Sequence, residues 1–555
     1  MMKVLEKYGE LILLILFFSL ALYTGPAHFL DNHLNHDFPY GYFASDAFWH
    51  EVYADDLKNA GNFRYFAPYY SGGFENVIAI NPPLFYHLVV MFSYLTDLEA
   101  YDTIYLTVFL YALFSALIMY SIIKQCNRHV ACLSLPFMLL IFTGKFKIAY
   151  IFGAWIFVAA SFFLLAFFWS VSKFIIIKQE HRHYQPSQQW YLLIALFLSA
   201  VTLTHTSETV FAVLFIGCFV VIQWLYAQKR SSPFDYLFLK YLFYAGLLTF
   251  IASFYYLVIF KFGWGRNIGF YVLTLEQWTG SQAPAIIEFG WLLPLLFIGV
   301  VISAFLLYKR FSIALFVSLF MFLVGFSNYA GFGHRAFQNR YFWPLYAAVF
   351  FGLVVYHGVT ILRLKSALIL WFSIVLLFVF SFVYAEQKIG QGLLDPYHWE
   401  AFTWIRGHTA MHDKIYFLYG DPYDQTALLA NIWRVPYLVR TQDYFDAVQA
   451  HTIKTQYNTR IVAEDGAGLP YRKSFFRFGY YSEEYPQALN GTQNICSFDY
   501  WVIDKVSRYP ALPQYNALLR QNFLQYGATE VFTNPVVSIL KNNNLNKTCL
   551  IEQTF

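Results

Sequence analysis

Long apolar runs separated by short polar turns fill the sequence up to about residue 385. A helix needs about 20 mainly apolar residues to cross the hydrocarbon layer of a bilayer. Eleven runs reach or approach this length, and each predicts a transmembrane helix. They cover residues 9–25, 102–123, 130–144, 150–172, 190–204, 209–227, 236–260, 289–307, 311–328, 341–358 and 367–385. The fold class predicted is therefore an α-helical polytopic membrane protein with about eleven transmembrane helices.

The last part of the chain, residues 386–555, has a different pattern, in which glycine, proline and asparagine separate short apolar runs. Four of these runs predict strands: KIYFLYG, VPYLV, YWVID and VVSILK. Two further runs, HWEAFTWIRGH and NALLRQNFLQYG, predict helices. The sequence thus predicts a transmembrane domain over residues 1–385, with a long loop over 26–101, and a water-soluble α/β domain over 386–555.

The loop over 26–101 contains the only long polar stretch in the first half of the sequence. Within it, SDAFWHEVYADDLKNAG predicts a short helix that starts at Ser45 and ends at Gly61. Asp46 and His50 are four residues apart and share one side of this helix. Asp55 and Asp56 point off that side, and we expect them to be solvated charges.

Basic residues indicate how the chain is oriented, because lysine and arginine concentrate in cytoplasmic turns. With the N-terminus inside and the C-terminus outside, every cytoplasmic turn is basic. These turns contain Lys3, Lys7, Lys124, Arg128, Lys173, Lys178, Arg182, Lys229, Arg230, Lys309, Arg310, Arg363 and Lys365. The assignment treats NPPLFYHLVVMFSYLTDL, residues 81–98, as a short helix at the outer face, since counting it as a span would invert every later turn. The start of the chain lacks a small-x-small cleavage site and is interpreted as the first membrane helix.

Composition narrows the protein class further. The chain is 58% hydrophobic and 13% charged, which is too apolar for a soluble protein of 555 residues. Its net charge of +4 includes no basic run of five or more residues, so nucleic acid is not a predicted partner. The five cysteines form no CxxC or Cys/His metal spacing. Cys496 and Cys549 are the two cysteines in the predicted outer parts of the chain, and we expect them to form a disulfide.

The arrangement as a whole resembles the GT-C superfamily of integral-membrane glycosyltransferases, which use polyprenyl-phosphate-linked sugars. The resemblance includes the first helix, the outer loop with Asp46 at the start of a helix, Leu57 and Gly61 further along it, the Pro-Pro helix and the outer C-terminal domain. Weaker similarities lie in LTHTSE and HRAFQNRYFWPLY. Among the branches of the superfamily, which include oligosaccharyltransferases and protein mannosyltransferases, the chain is most similar to the PTPS-related membrane proteins.

The resemblance implies an inverting sugar transfer to an acceptor glycan, lipid or protein, with Asp46 as the catalytic carboxylate. It implies that cations bind the donor phosphate, and the candidates are Arg335, Arg340, Lys147 and Arg266, with Lys145 as a weaker one. His50, His205 and Glu208 are candidates for supporting or acceptor contacts. A host with a prokaryotic plasma (inner) membrane is expected, with the C-terminal domain extracytoplasmic.

The metal requirement stays open in the sequence. Metal-dependent relatives carry a second acidic pair after the third helix, whereas this chain has TGKFKIAY there. A divalent metal is therefore not assigned, and Glu208, Glu276 and Glu288 are the remaining candidate second carboxylates. His33, His36 and Asp37 are a weak metal pattern.

Other interpretations also remain. Asp46 could be an ordinary first-turn acid, the outer arginines could extend into the lipid headgroups, and His205 could be a helix cap or a buried hydrogen-bonding group. The whole chain could be a transporter or flippase, or a GT-C relative without activity.

Overall fold

Helices dominate the structure, a computed structural model that describes residues 2–27, 33–61, 63, 67–69, 82–180, 189–229, 236–271, 284–327, 334–363, 365–383, 390–418, 426–461, 491–507, 509–544 and 548–555. The α-helices are α1 (Met2–Leu22), α2 (Ser45–Ala60), α3 (Leu84–Thr96), α4 (Ala100–Lys124), α5 (Arg128–Met138), α6 (Ile148–Ile151), α7 (Trp155–Glu180), α8 (Gln189–Thr202), α9 (Thr206–Lys229), α10 (Tyr236–Tyr271), α11 (Leu293–Lys309), α12 (Ile313–Val324), α13 (Trp343–Ile361), α14 (Ser366–Val383), α15 (Pro396–His408), α16 (Thr441–Gln449) and α17 (Ala511–Gln525).

Contacts divide the chain into two compact units. Unit 1 comprises Met1–Leu34, Pro82–Leu88 and Ile104–Ile389, and unit 2 comprises Asn35–Asn81, Val89–Thr103 and Gly390–Phe555. Each unit is described separately below.

The membrane class is confirmed by the helices of unit 1. In the described part of the chain, eight helices are long and apolar enough to cross a bilayer. A ninth crossing exists if Arg128–Phe142 and Gly144–Ile151, which meet at a 62° bend, form one span. Two further predicted spans correspond to α8 and α12, apolar helices of 14 and 12 residues. The short Pro-Pro helix is α3, whose 13 residues are too few to span a bilayer alone.

Unit 1 packs tightly around α5. This helix lies against α13 and α14, and α8 lies between α7 and α10. Gly352 of α13 allows the closest approach, because a Cβ atom there would lie 2.8 Å from the carbonyl oxygen of Val130 in α5. Small residues permit such contacts between membrane helices, where dispersion forces rather than water exclusion drive association. Phe137 of α5 then stacks on Phe351 of α13 at 5.2 Å between ring centroids.

Unit 2 is built on a seven-stranded sheet with the order β5-β4-β2-β1-β6-β8-β7. Its strands, with the separate pair β3 and β9, are β1 (Ile415–Phe417), β2 (Pro436–Val439), β3 (Thr452–Ile453), β4 (Gln456–Ile461), β5 (Gly491–Asn494), β6 (Tyr500–Asp504), β7 (Thr529–Thr533), β8 (Val537–Lys541) and β9 (Gln553–Thr554). β1 pairs in parallel with β2 and with β6, and the flanking strands are antiparallel. All four predicted strands and both predicted helices are confirmed, whereas α16 and the polar strands β4, β5 and β7 were not predicted.

Part of the long polar loop folds within unit 2. Gly41 donates a hydrogen bond to the carbonyl of Gln391 at 2.7 Å, and Leu393 donates to the carbonyl of Tyr42 at 2.8 Å. Between these residues Gly392 has φ 99°, and a Cβ atom there would lie 2.7 Å from the Tyr42 nitrogen. Only glycine fits this conformation and this space. The contact joins the chain just before α2 to the chain just before α15.

Candidate functional site

The helix that carries Asp46 is confirmed with its predicted bounds. It begins at Ser45 and ends at Gly61, whose φ of 61° and N–H donation to the Leu57 carbonyl at 3.0 Å form a left-handed C-cap. Asp46 is exposed in the first turn, and His50 is half-buried one turn later. The residue before the helix, Ala44, makes no side-chain cap. The sequence therefore brings Asp46 and His50 to one side of α2, as predicted.

The expectation of solvated charges on the other side of α2 is wrong. Asp55 and Asp56 are 8% and 7% exposed, and Glu51, one turn before Asp55, is 1% exposed. Asp55 faces Arg406 of α15, with 3.9 Å between Oδ2 and Nη1. Asp56 accepts a hydrogen bond from the Tyr69 hydroxyl at 3.1 Å. The reason is that the 3-10 helix Thr426–Ile432 packs against α2 and removes water from this face.

Burial sets the protonation of these three acids. Desolvation, together with the negative charges of Asp55 and Glu99, raises the pKa of Glu51 to about 8, although Arg406 and a hydrogen bond from Asn431 act in the opposite direction. Desolvation also raises the pKa of Asp55 against the influence of Arg406. The pKa of Asp56 is raised to about 6 by desolvation, with the Tyr69 hydrogen bond acting in the opposite direction.

The histidines of the loop do not form the metal pattern considered above. The backbone N–H of His36 donates to Asp102 Oδ2, and its Nδ1 lies 2.7 Å from Asp102 Oδ1. The Tyr101 hydroxyl donates to the His36 carbonyl at 2.7 Å. His36 therefore fixes the loop to the start of α4, and His33 is exposed. Among the residues that the structure describes, no group of three or more His, Cys, Asp or Glu side chains could hold a metal ion.

In unit 1, the turn LTHTSE brings His205 and Glu208 into contact. His205 Nδ1 pairs with Glu208 Oε2 at the start of α9, and both side chains are buried. The other carboxylate oxygen, Glu208 Oε1, is buried without a hydrogen-bond partner in the described part of the chain. The same turn accepts a hydrogen bond at the Leu203 carbonyl from the N–H of Leu84, at 2.9 Å. The Pro-Pro helix and LTHTSE, which the resemblance singled out separately, thus meet.

The predicted phosphate cations occupy different environments. Lys145 forms an ion pair with Glu288 at 2.9 Å, so one loop lysine meets one candidate second carboxylate. Lys147 is half-buried in the short 3-10 helix Gly144–Lys147. Arg340 is 1% exposed, donates from Nε to the Gly325 carbonyl at 2.6 Å and lies 5.6 Å from the Trp343 ring. A side chain so well covered by protein does not extend into lipid headgroups.

Two other candidate phosphate cations, Arg335 and Arg266, lie in helices of unit 1. Arg335 lies in the 3-10 helix His334–Phe342, and Arg266 lies in the second half of α10. Glu276 lies outside the described residues.

Sequence reasoning missed Arg406 and Glu51, which are largely buried together with Asp55 in unit 2. The guanidinium of Arg406 lies 4.7 Å from the Trp399 ring and 4.5 Å from the Trp433 ring. A tryptophan seven residues before an arginine in a predicted helix was the only available signal, since that spacing puts both on one face.

The fold is similar to those of solved glycosyltransferases. The oligosaccharyltransferase AglB from Archaeoglobus fulgidus matches with a TM-score of 0.55 and 12% identity, over 78% of this chain and 64% of AglB, so this chain spans less than two thirds of that relative. ArnT from Cupriavidus metallidurans matches with a TM-score of 0.53 and 11% identity over 95% of this chain and 97% of ArnT. The arabinofuranosyltransferase AftD from Mycobacteria matches with a TM-score of 0.54 and 10% identity over 97% of this chain and 40% of AftD.

No protein-family model matches the sequence, and no curated protein matches it. At 10% to 12% identity, the three matches concern the fold. AglB, ArnT and AftD share the GT-C fold of membrane glycosyltransferases. The fold of this multi-pass membrane protein is therefore that of the GT-C membrane glycosyltransferases.

Proposed function

We propose that the protein is an integral-membrane glycosyltransferase that moves a sugar from a polyprenyl-phosphate donor to an acceptor glycan, lipid or protein. The observation that carries the proposal is the GT-C fold together with an exposed aspartate in the first turn of α2. The AglB structure is a complex with an inhibitory peptide and a dolichol-phosphate, so a relative of this fold binds this class of lipid.

Asp46 is the proposed general base. In an inverting transfer the acceptor oxygen attacks the anomeric carbon, its proton passes to the Asp46 carboxylate, and the bond from the anomeric carbon to the phosphate oxygen breaks. The electron pair of that bond leaves with the lipid phosphate, whose charge needs cations. The partial positive charge at the N-terminus of α2 favours a carboxylate at this position.

Arg340, Arg335, Lys147 and Arg266 are the proposed cations for the leaving phosphate. Arginine suits this role because its planar fork binds two phosphate oxygens at once. His205 and Glu208 are proposed to contact the acceptor or to support the site, since Glu208 keeps a buried oxygen without a partner in the described part of the chain. Metal dependence is left open.

A direct test uses the full chain in lipid nanodiscs. The probes are undecaprenyl phosphate and dolichyl phosphate, each carrying radiolabelled mannose, glucose or arabinose, with a membrane extract as the source of acceptors. We expect at least one donor to release its polyprenyl phosphate and to label an acceptor. If no donor is consumed, and vesicles containing the protein instead move a fluorescent lipid-linked sugar between leaflets, the transporter alternative is favoured.

The proposed orientation has the N-terminus in the cytoplasm and the C-terminal unit outside. In a background with Cys126, Cys132 and Cys218 replaced by serine, the variants Glu180→Cys and Ala450→Cys report on the two sides. We expect an impermeant maleimide added to intact cells to label position 450 and to label position 180 only after lysis. Labelling of 180 and protection of 450 would invert the topology and remove the outward-facing site.

Replacing Arg340 by lysine tests the phosphate role. We expect the affinity for undecaprenyl phosphate, measured by native mass spectrometry, to fall about 10- to 100-fold, because lysine keeps the charge but loses the fork. Arg363→Lys, at an exposed arginine in the turn after α13, is the matched control and should not change binding. Because Arg340 also donates to the Gly325 carbonyl, the melting temperature of each variant is measured in parallel. Binding curves that coincide with the parent would eliminate the phosphate role.

A further inference from the structure

Arg406 faces the buried side of the helix that presents Asp46. Glu51 and Asp55 lie four residues apart on α2, so their side chains occupy successive turns of one face. Arg406 approaches Asp55 from α15 at 3.9 Å, and both side chains are largely buried, with exposed fractions of 16% and 11%. All these residues belong to unit 2.

Several described residues contact the guanidinium of Arg406. Trp399 and Trp433 contact its guanidinium at 4.7 and 4.5 Å. Its Nη2 donates to Asn431 Oδ1 at 3.1 Å, and its Nε donates to the Asn431 carbonyl. Trp433 adopts a φ of 55°, a left-handed conformation that costs free energy in a residue with a large side chain. The two rings and the two hydrogen bonds to Asn431 hold the guanidinium in place within unit 2.

The charges on this face do not balance if both carboxyls are ionised. Asp55 has Arg406 as its buried partner, whereas Glu51 Oε2 is buried with no hydrogen-bond partner in the described part of the chain. An ionised carboxylate with one buried oxygen left without a donor costs far more than the neutral acid. Among the described charges nearby, Lys58 pairs with Glu99 at 3.7 Å, and Asp56 bonds to Tyr69. The negative charge of Glu99 also disfavours ionisation of Glu51.

We propose that Arg406 is a positioning residue that holds α2 in place through Asp55, and that Glu51 remains protonated so that one cation matches one carboxylate. The link to catalysis rests on the proposed function, because it is Asp46 at the start of the same helix that would need positioning. The interaction of Arg406, Asp55 and Glu51 itself involves residues of unit 2 alone. It makes the placement of α2 sensitive to the loss of one proton.

The direction of the pH effect follows from burial. Desolvation raises the pKa of Glu51 from its ordinary 4.5 to about 8, so between these values the folded protein holds a proton that the unfolded chain releases. Stability from this group is therefore highest at low pH and is lost as the pH rises towards 8. The pKa of Asp56 is raised to about 6, so this group also loses stability as the pH rises, but at lower pH. Desolvation lowers the pKa of His398, but Asp395 and Asp504 outweigh it and raise the pKa to about 10. His398 therefore loses its contribution to stability at higher pH.

Replacing Glu51 by glutamine isolates the group, because glutamine has the shape of the protonated acid and cannot ionise. The quantity to measure is the melting temperature of Glu51→Gln minus that of the parent, from pH 6 to 8.5, on the full chain in detergent. The effects of Asp56 and His398 are common to both proteins and cancel in this difference. We expect the difference to favour the variant already at pH 6, because the loss begins near pH 4.5, and to grow by several degrees up to pH 8, where it levels off. Glu400→Gln, at an exposed glutamate of α15, is the control and should give a difference that does not vary with pH.

Hydrogen exchange reports on α2 directly. In Arg406→Lys we expect amides of residues 45–60 to exchange about tenfold faster than in the parent, because the stacked, forked contact is lost. The double variant Arg406→Lys/Asp55→Asn should exchange no faster than Arg406→Lys, since the cation acts through Asp55.

Three results would overturn the proposal. The first is additive effects of the two changes on exchange, and the second is faster exchange confined to residues 426–433. The third is a melting-temperature difference between Glu51→Gln and the parent that does not vary with pH. None of these measurements uses sugar transfer, so a negative result would not contradict the proposed glycosyltransferase function. Full turnover in Asp46→Asn would likewise not contradict the proposed role of Arg406, Asp55 and Glu51 in positioning α2.

Discussion

Replacing Asp46 by asparagine is expected to lower the rate of sugar transfer by about two to four orders of magnitude, which is the usual contribution of a general base. Asparagine has the same size but cannot accept the acceptor's proton. The side chain is exposed in the first turn of α2. The fold should therefore survive, and the melting temperature should stay within about a degree of the parent, as is usual for exposed positions.

A matched control is available in unit 2. Asp443 is the first-turn acid of α16 and accepts a hydrogen bond from Asn458 Nδ2 at 3.3 Å. Asp443→Asn makes the same chemical change in the first turn of another helix, without a proposed role in transfer. With the radiolabelled donor panel as the assay, we expect transfer by Asp443→Asn to match the parent. If Asp46→Asn also transfers sugar at the parent's rate, Asp46 is not the base, and the first-turn acid is an ordinary helix feature.

The elements that the sequence predicted well are those whose signal is local. Apolar runs of helical length appear in the structure as helices, and α2 has its predicted start and its predicted glycine end. The strands β1, β2, β6 and β8 are apolar and buried, so their composition distinguishes them from the polar segments around them.

The failures all involve partners that are distant in the sequence. Asp55 and Asp56 are charged residues in a polar loop, and the 3-10 helix Thr426–Ile432 packs against the helix that carries them. That segment lies more than 360 residues further along the chain, and nothing in either stretch indicates that they meet. The strands β4 and β5, with the sequences QYNTRI and GTQN, are too polar to stand out and form only by pairing with each other and with β2.

Breaking the disulfide of unit 2 is the second change with a large expected effect. Cys496 and Cys549 form a disulfide, as predicted. Their Cα atoms are 5.2 Å apart, and their sequence separation is 53. The closed loop contains β6, α17, β7 and β8, which is much of the sheet. Restricting a loop of this length in the unfolded chain stabilises the folded state by about 4 kcal/mol on the loop-entropy model.

The double variant Cys496→Ala/Cys549→Ala is the appropriate test, because serine would leave two buried hydroxyls in an apolar core that also holds Trp501, Phe523 and Leu550. We expect unit 2 to lose about 4 kcal/mol of unfolding free energy, which corresponds to a melting temperature lower by roughly 10 °C. The control is Cys126→Ala/Cys218→Ala, which removes two exposed free thiols and should change the melting temperature little.

Alkylation gives a result that does not depend on the variant folding. The parent protein, unfolded and treated with a thiol reagent without reductant, should gain three alkyl groups, on Cys126, Cys132 and Cys218, and two more only after reduction. Such a bond forms and persists in oxidising compartments and is rare in the cytosol. Three added groups would therefore also support the proposal that the C-terminal unit lies outside the membrane, where a lipid-linked donor would be used. Five added groups without reductant, from protein isolated under conditions that block thiol exchange, would contradict both the bond and that argument for orientation.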